Sequence, residues 1–220
     1  IQGKIEKVFS KVLMSKVRLI GAGRTDKGVH AEGQYANFKI SKPIGDIKKF
    51  LGSVNFFLKN NLITIITISK KKIDFNSRYN AKERIYKYII VNRESKLSLE
   101  KNRAWHIKKK LDLILLKKGA KMLEGKHDFS TFRAASCSSK SPIKKINFIK
   151  VKKTGTRISI IFSSKSFLQN QVRSMVGCLK YLATNKWSVK EFKRSFKSKR
   201  REQCAPPAPA YGLYLSNVKY

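Results

Sequence analysis

Acidic residues are scarce: thirteen Asp and Glu stand against fifty Lys and Arg in 220 residues, a formal net charge of +37. Self-repulsion on that scale opposes a compact state unless counterions or a polyanion screen it. Nucleic acid is the obvious polyanion, because neutralised phosphates release counterions and give affinity without sequence contacts. Thirty-eight of the fifty bases are Lys, and the chain is also rich in Ile and Asn. That bias matches the codon usage of an AT-rich genome, so charge supports a nucleic-acid partner without naming one. Cysteine is scarce too: Cys137, Cys178 and Cys204 show no paired spacing, which argues against a disulfide framework and a zinc knuckle. His30, His106 and His127 make no ligand pattern with them, so no metal is expected. The sequence has no signal-peptide pattern and no membrane-length apolar run, and the expectation is a reducing, cytoplasmic setting away from any membrane. Helix-turn-helix, zinc and zipper signatures are missing, which disfavours a generic DNA-binding module.

What is present suits a folded α+β protein. Hydrophobic residues make up 41% of the chain, too many for a basic disordered tail, and 220 residues suffice for two cores. Ile1, Ile5, Val8, Phe9, Val12 and Leu13 form a helical stripe. Strand-like stretches flank a loop over residues 17–40, Pro43 opens a second helix bearing Ile47, Phe50, Leu51 and Val54, and residues 62–69 are β-branched and strand-like. This half reads αββαβ, and a strand ahead of Ile1 would complete a split βαβ unit. The second half repeats the alternation. Residues 84–92 form a strand with Tyr86 and Tyr88 on one face, and a short strand lies near Trp105. A helix runs from about Asp112 to Glu124, and a hairpin over 145–163 turns at Thr154-Gly155. Leu168, Val172, Met175, Val176, Leu179, Leu182 and Ala183 mark a long helix, and a strand follows from Tyr211 to Tyr220. The boundary falls near Ile73 to Ser77, giving an N-terminal domain over 1–76 and a larger C-terminal domain over 77–220. No low-complexity linker separates them, so the two are expected to pack around a cleft.

The string Gly23-Arg24-Thr25-Asp26-Lys27-Gly28-Val29-His30-Ala31 places one acid in a basic, glycine-bounded turn between strand-like stretches. In a chain so poor in carboxylates, an Asp fixed by rigid flanks is placed as scaffolds place reactive groups. An isolated Asp-x-Gly reads more simply as an Asx-type turn. The longer string is more specific.

That string with Gly33-Gln34, the segment from Phe75-Asn76-Ser77-Arg78 to Tyr86-Lys87-Tyr88, and His127-Asp128-Phe129-Ser130-Thr131-Phe132-Arg133-Ala134 occur in order. Phe167-Leu168-Gln169-Asn170-Gln171-Val172-Arg173-Ser174-Met175-Val176-Gly177 and Gly212-Leu213-Tyr214-Leu215 complete the set. Together they resemble the tRNA pseudouridine synthase A family over essentially the whole chain. The resemblance implies two tandem ferredoxin-like domains with mainly antiparallel sheets and a basic active-site cleft between them. It implies a homodimer, no cofactor, and isomerisation of uridine to pseudouridine in the tRNA anticodon stem-loop, at positions 38, 39 and 40. It also implies a first strand and a Gly- and Gln-containing RNA-contact segment ahead of residue 1, so the sequence is expected to be N-terminally incomplete. Ser77 stands where the family usually has Ala.

By the resemblance, Asp26 is the catalytic carboxylate, attacking sugar or base as a nucleophile or taking a proton from the sugar. Arg173 is its cationic partner, Arg rather than Lys suiting planar pairing with a carboxylate. Tyr86 would stack on a base taken out of its stem, or serve proton removal at C5. Arg24, Arg78, Arg84 and Arg133 would contact phosphates or line the cleft, and Leu213 would contact substrate. His30 reads as structural, bonding the active turn. The other histidines and the cysteines read as packing or surface residues, and the lysine runs 70–72, 108–110 and 193–201 as solvated or loosely RNA-facing surface. A non-catalytic RNA-binding protein or RNA chaperone on the same scaffold is the alternative; it would keep the charge and lose the Asp26, Tyr86 and Arg173 set.

Overall fold

The computed structural model describes all residues, 1–220, and the chain packs as two units. One comprises Ile1–Arg24 with Tyr35–Ala81, the other Thr25–Gln34 with Lys82–Tyr220. The loop bearing Asp26 therefore groups with the second unit, although in chain order it lies within residues 1–76.

In the first unit, helices α1 (Gln2–Leu13) and α2 (Ile47–Leu58) pack together around Phe9, Val17, Leu19, Phe50, Val54 and Leu58. Phe9 meets Phe38 and Phe50 edge-on at 5.1 and 5.4 Å. Helix α2 starts four residues later than Pro43 suggested. Asp46 caps it, accepting from Lys49 N–H at 2.9 Å.

The expected strands here shrink to β1 (Ile20–Gly21) and β3 (Ala36–Asn37), paired antiparallel. Side chains take the backbone groups a longer ladder would use. Val17 N–H donates to Ser10 Oγ and Leu19 N–H to Glu6 Oε1, both from α1. Residues 62–69 form no strand either. Ile63, Ile65 and Ile68 face the core, but Asn55 of α2 binds both the N–H and the carbonyl of Ile65. β-branched composition marks residues that pack on the core, and a strand needs a ladder partner as well. The αββαβ reading of this half is thus reduced to two helices and one short strand pair.

The second unit is built on a mainly antiparallel sheet in the order β2-β9-β4-β8-β7-β6, with β5 also pairing β4. Its strands are β2 (His30–Ala31), β4 (Glu83–Asn92), β5 (Trp105–Ile107), β6 (Gly125–Asp128), β7 (Ile143–Thr154), β8 (Arg157–Ser164) and β9 (Leu213–Lys219). Strand β4 is central: β8 lies along one edge, while β9 and β5 share the other. It is buried on both faces over Tyr88–Val91, which explains its unbroken apolar run. Helix α3 (Leu113–Met122) packs against α4 (Gln171–Ala183), the most buried helix of the chain.

Three strands or helices of this unit went unread in the sequence: the two-residue β2, the short β6, and α5 (Val189–Lys197), which overlaps a run read as solvated or loosely RNA-facing lysines. Its signal was the capping box Ser188–Glu191, and it buries Phe192.

Candidate active site

The Asp26 loop is bound into the large sheet by its C-terminal end. His30 and Ala31 pair parallel with Tyr214 and Leu215, and Glu32 and Gly33 N–H groups both donate to Leu215 O. Glu32 accepts from Lys87 Nζ and from Ser216 Oγ, each at 2.7 Å. Burial opposes the Glu32 charge, but these two donors outweigh it and hold the carboxyl below its usual range. The His30 ring stacks on Tyr214 at 4.7 Å and its Nε2 bonds Asn102 O, so its role in the loop is structural.

The loop turns at Asp26 itself, whose carbonyl accepts from Val29 N–H at 3.0 Å. Gly28 sits at φ +84°, where a side chain is strained, and a Cβ there would lie 3.3 Å from Ala210 Cβ. The loop thus leans on the 3₁₀ turn Ala210–Gly212. That turn is held from below by Tyr88, fully buried, whose hydroxyl donates to Pro209 O at 2.8 Å.

Arg173, in the first turn of α4, meets the loop from the other side. Its Nη1 donates to Asp26 Oδ2 at 3.2 Å, with Asp26 30% and Arg173 18% exposed at the side chain. The contact is a single hydrogen bond, and the guanidinium also engages two other acceptors. Nε donates to Ala208 O at 2.8 Å and Nη1 also to Asn170 Oδ1 at 3.1 Å. The guanidinium is thereby aimed independently of Asp26, and Asp26 Oδ1 is left without a hydrogen bond. The strap that supplies Ala208 comes close because residue 177 is Gly. A Cβ there would lie 2.1 Å from Pro206 O.

Tyr86 projects from β4 beside a register shift in the β4–β9 pairing, a device that re-aims a side chain. Phe167 meets it edge-on at 5.3 Å. Burial, with a smaller contribution from the Asp26 charge and against Arg84, pushes its phenol up to about 12. At neutral pH Tyr86 is therefore a protonated donor with an aromatic face.

The other expected residues lie in the following surroundings. Arg84, on β4 two residues before Tyr86, donates to Lys165 O. Arg133 Nη2 donates to Cys137 O and Ser139 O, each at 2.8 Å, so it organises its own loop. Leu213 is buried at the start of β9, opposite Tyr88. In the first unit Arg24 is exposed, and Arg78 lies over the Tyr79 ring at 5.7 Å. Ser77 is fully buried and donates to Ile20 O, which gives its hydroxyl a partner in β1. Cys178 and Cys204, distant in sequence, bring their thiols to 3.5 Å. Two cavities, about 330 and 520 Å³, are lined by residues around His106 and around His127 respectively, and neither includes Asp26, Arg173 or Tyr86. No three His, Cys, Asp or Glu side chains among the described residues group as a metal site, and no helix is long and apolar enough to cross a membrane.

Sequence reasoning missed the supports of the pair: Asn170, the Ala208 carbonyl, and Tyr88 beneath the strap. Gly177, one turn beyond Arg173, was the legible sign that another segment approaches there.

A partly exposed carboxylate in contact with an arginine that is aimed by its own further hydrogen bonds is the arrangement a reactive acid would need. The family profile for tRNA pseudouridine synthase matches residues 120–220. The tRNA pseudouridine synthase A of Pelagibacter ubique is 56% identical over 220 residues, covering all of this chain and 89% of its own length. Those of Maricaulis maris and Xanthobacter autotrophicus are 38% and 39% identical, again over all of this chain and 88% and 89% of theirs. The chain belongs to the tRNA pseudouridine synthase A family.

Proposed function

We propose that this protein isomerises uridine to pseudouridine in tRNA, with Asp26 as nucleophile and Arg173 as the group that aims it. The reaction breaks the N1–C1′ bond, turns the base and joins C5 to C1′. N1 gains a proton and C5 loses one, so product and substrate are isomers and no electrons or energy enter. The observation that carries the reading is the Asp26–Arg173 contact, which fixes one carboxylate oxygen and leaves the other unbonded. Attack at the sugar and attack at the base both start from that oxygen. Tyr86 supplies the aromatic face on which a base removed from its stem would stack. The proposal takes in the family's finer features: anticodon stem-loop uridines as targets, a homodimer, a cytoplasmic setting, and two tandem ferredoxin-like domains with a basic cleft. Arg24, Arg78 and Arg84 are proposed RNA-backbone contacts. A non-catalytic RNA-binding role finds no support in a family whose relatives are named as synthases. The test is incubation of the protein with unmodified tRNA transcripts, followed by mapping of pseudouridine by carbodiimide reactivity. Carbodiimide stops confined to anticodon-arm uridines are expected, and no new stop in any tRNA would refute the proposal.

A further inference from the structure

The residue at the head of α4 does an unusual job. Asn at a helix N-cap ordinarily turns its side-chain oxygen onto a first-turn N–H. Asp46, Asp112 and Ser188 do so for α2, α3 and α5. Asn170 does not: it makes no side-chain cap bond, and its Oδ1 instead accepts from Arg173 Nη1 at 3.1 Å. It is also held at φ 63°, a left-handed conformation that L-residues other than Asn and Asp rarely adopt and that clusters at functional sites.

These facts fix which way the amide faces. The guanidinium has only donors, so the atom it meets is the oxygen, and Nδ2 is turned away as a donor. No hydrogen bond engages Nδ2, and the residue is only half-buried. Arg173 Nη1 touches both Asn170 Oδ1 and Asp26 Oδ2, so those oxygens lie within about 6.3 Å, the sum of the two contacts. An unused amide NH2 of fixed direction thus stands one guanidinium away from the carboxylate.

We infer that Asn170 reads the target base, donating from Nδ2 to a carbonyl oxygen of uracil. This rests on the proposed function, which brings a uracil to Asp26. The chemistry of the base suits the assignment: uracil offers carbonyl acceptors at C2 and C4, whereas cytosine presents an amino donor at C4 that would oppose Nδ2. Arg173 then has two tasks, aiming Asp26 and setting the amide so that its donor faces the base.

A cycle between a side-chain change and an atomic change in the base tests this. Single-turnover rates are measured with tRNA carrying uridine, 2-thiouridine or 4-thiouridine at the target, sulfur being a poor hydrogen-bond acceptor. Asn170→Gly removes the amide and tolerates positive φ. Asn170→Asp keeps the oxygen that meets Arg173 and replaces the donor. For the wild type, one of the two thio substitutions should slow the reaction several-fold more than it does in either variant. In both variants that particular sensitivity should vanish, and this second variant covers the case in which Gly weakens the fold. Equal oxygen-to-sulfur rate ratios in all three proteins, for both thio positions, would overturn the assignment and leave Asn170 as a support for Arg173 alone. A wild type that forms no pseudouridine from ordinary tRNA would instead refute the proposed function, and this inference with it.

Discussion

Replacing Arg173 tests the geometry of the site most sharply among the side-chain changes. Arg173→Ala removes one charged contact to Asp26 and the bonds to Ala208 O and Asn170 Oδ1. Truncating one partner of a fully buried pair costs about 3–5 kcal/mol, while fully exposed pairs are worth about 0–1. With the two side chains 18% and 30% exposed, the cost lies between these limits. About 2–3 kcal/mol in the chemical step is expected, which is roughly a 30- to 150-fold fall in rate. Arg173→Lys should recover only part of it, because one ammonium cannot serve three acceptors held in different directions. Single-turnover pseudouridine formation at saturating enzyme separates this loss from any change in tRNA affinity. A rate in the Ala variant within two-fold of wild type, in a protein that melts normally, would show that Arg173 does not aim the carboxylate.

Three further outcomes follow from the structure. The Tyr86 phenol is pushed up to about 12 from a usual value near 10, so the neutral phenol stabilises the folded state. That stability is complete below pH ~10 and is lost as pH rises through ~12, amounting to at most about 3 kcal/mol; denaturant melts at pH 9 and 11.5 should show a smaller alkaline loss for Tyr86→Phe than for wild type. Gly177→Ala drives a methyl group into the Pro206 carbonyl, a backbone atom that cannot swing aside, and should cost about 1–3 kcal/mol in stability by thermal or urea melting. Affinity for tRNA should fall steeply with salt, with a log–log slope several units negative in fluorescence anisotropy, as fits a chain of net charge +37; a flat slope would show that the lysines face solvent without contacting RNA.

Much of the second unit was legible because its elements carry their own signals. Strand β4 is a buried apolar run, β7 and β8 turn at Thr154-Gly155, and α4 shows a continuous helical stripe. The first unit was less legible for a specific reason. Ser10, Glu6 and Asn55 take backbone groups of Val17, Leu19 and Ile65, and such bonds leave no trace in hydrophobic periodicity. The same division runs through the site. Asp26 and Arg173 were visible because residue types in ordered motifs mark them. The carbonyl of Ala208 carries no residue-type signature, and the left-handed turn at Asn170 is a backbone property that spacing does not reveal. Arg133 carries a role that residue type does not reveal: its Nη2 closes a loop on Cys137 and Ser139.

The central claim is that the one carboxylate in the glycine-bounded turn performs the chemistry. Asp26→Asn keeps the size of the side chain and an oxygen able to face Arg173, and it removes one negative charge from a strongly positive protein. The direct measurement is pseudouridine formation in unmodified tRNA by this variant and by wild type, with tRNA affinity measured alongside. The account predicts that pseudouridine is undetectable with the variant while affinity stays within a few-fold of wild type. A folded Asn variant that turns over at the wild-type rate would contradict it.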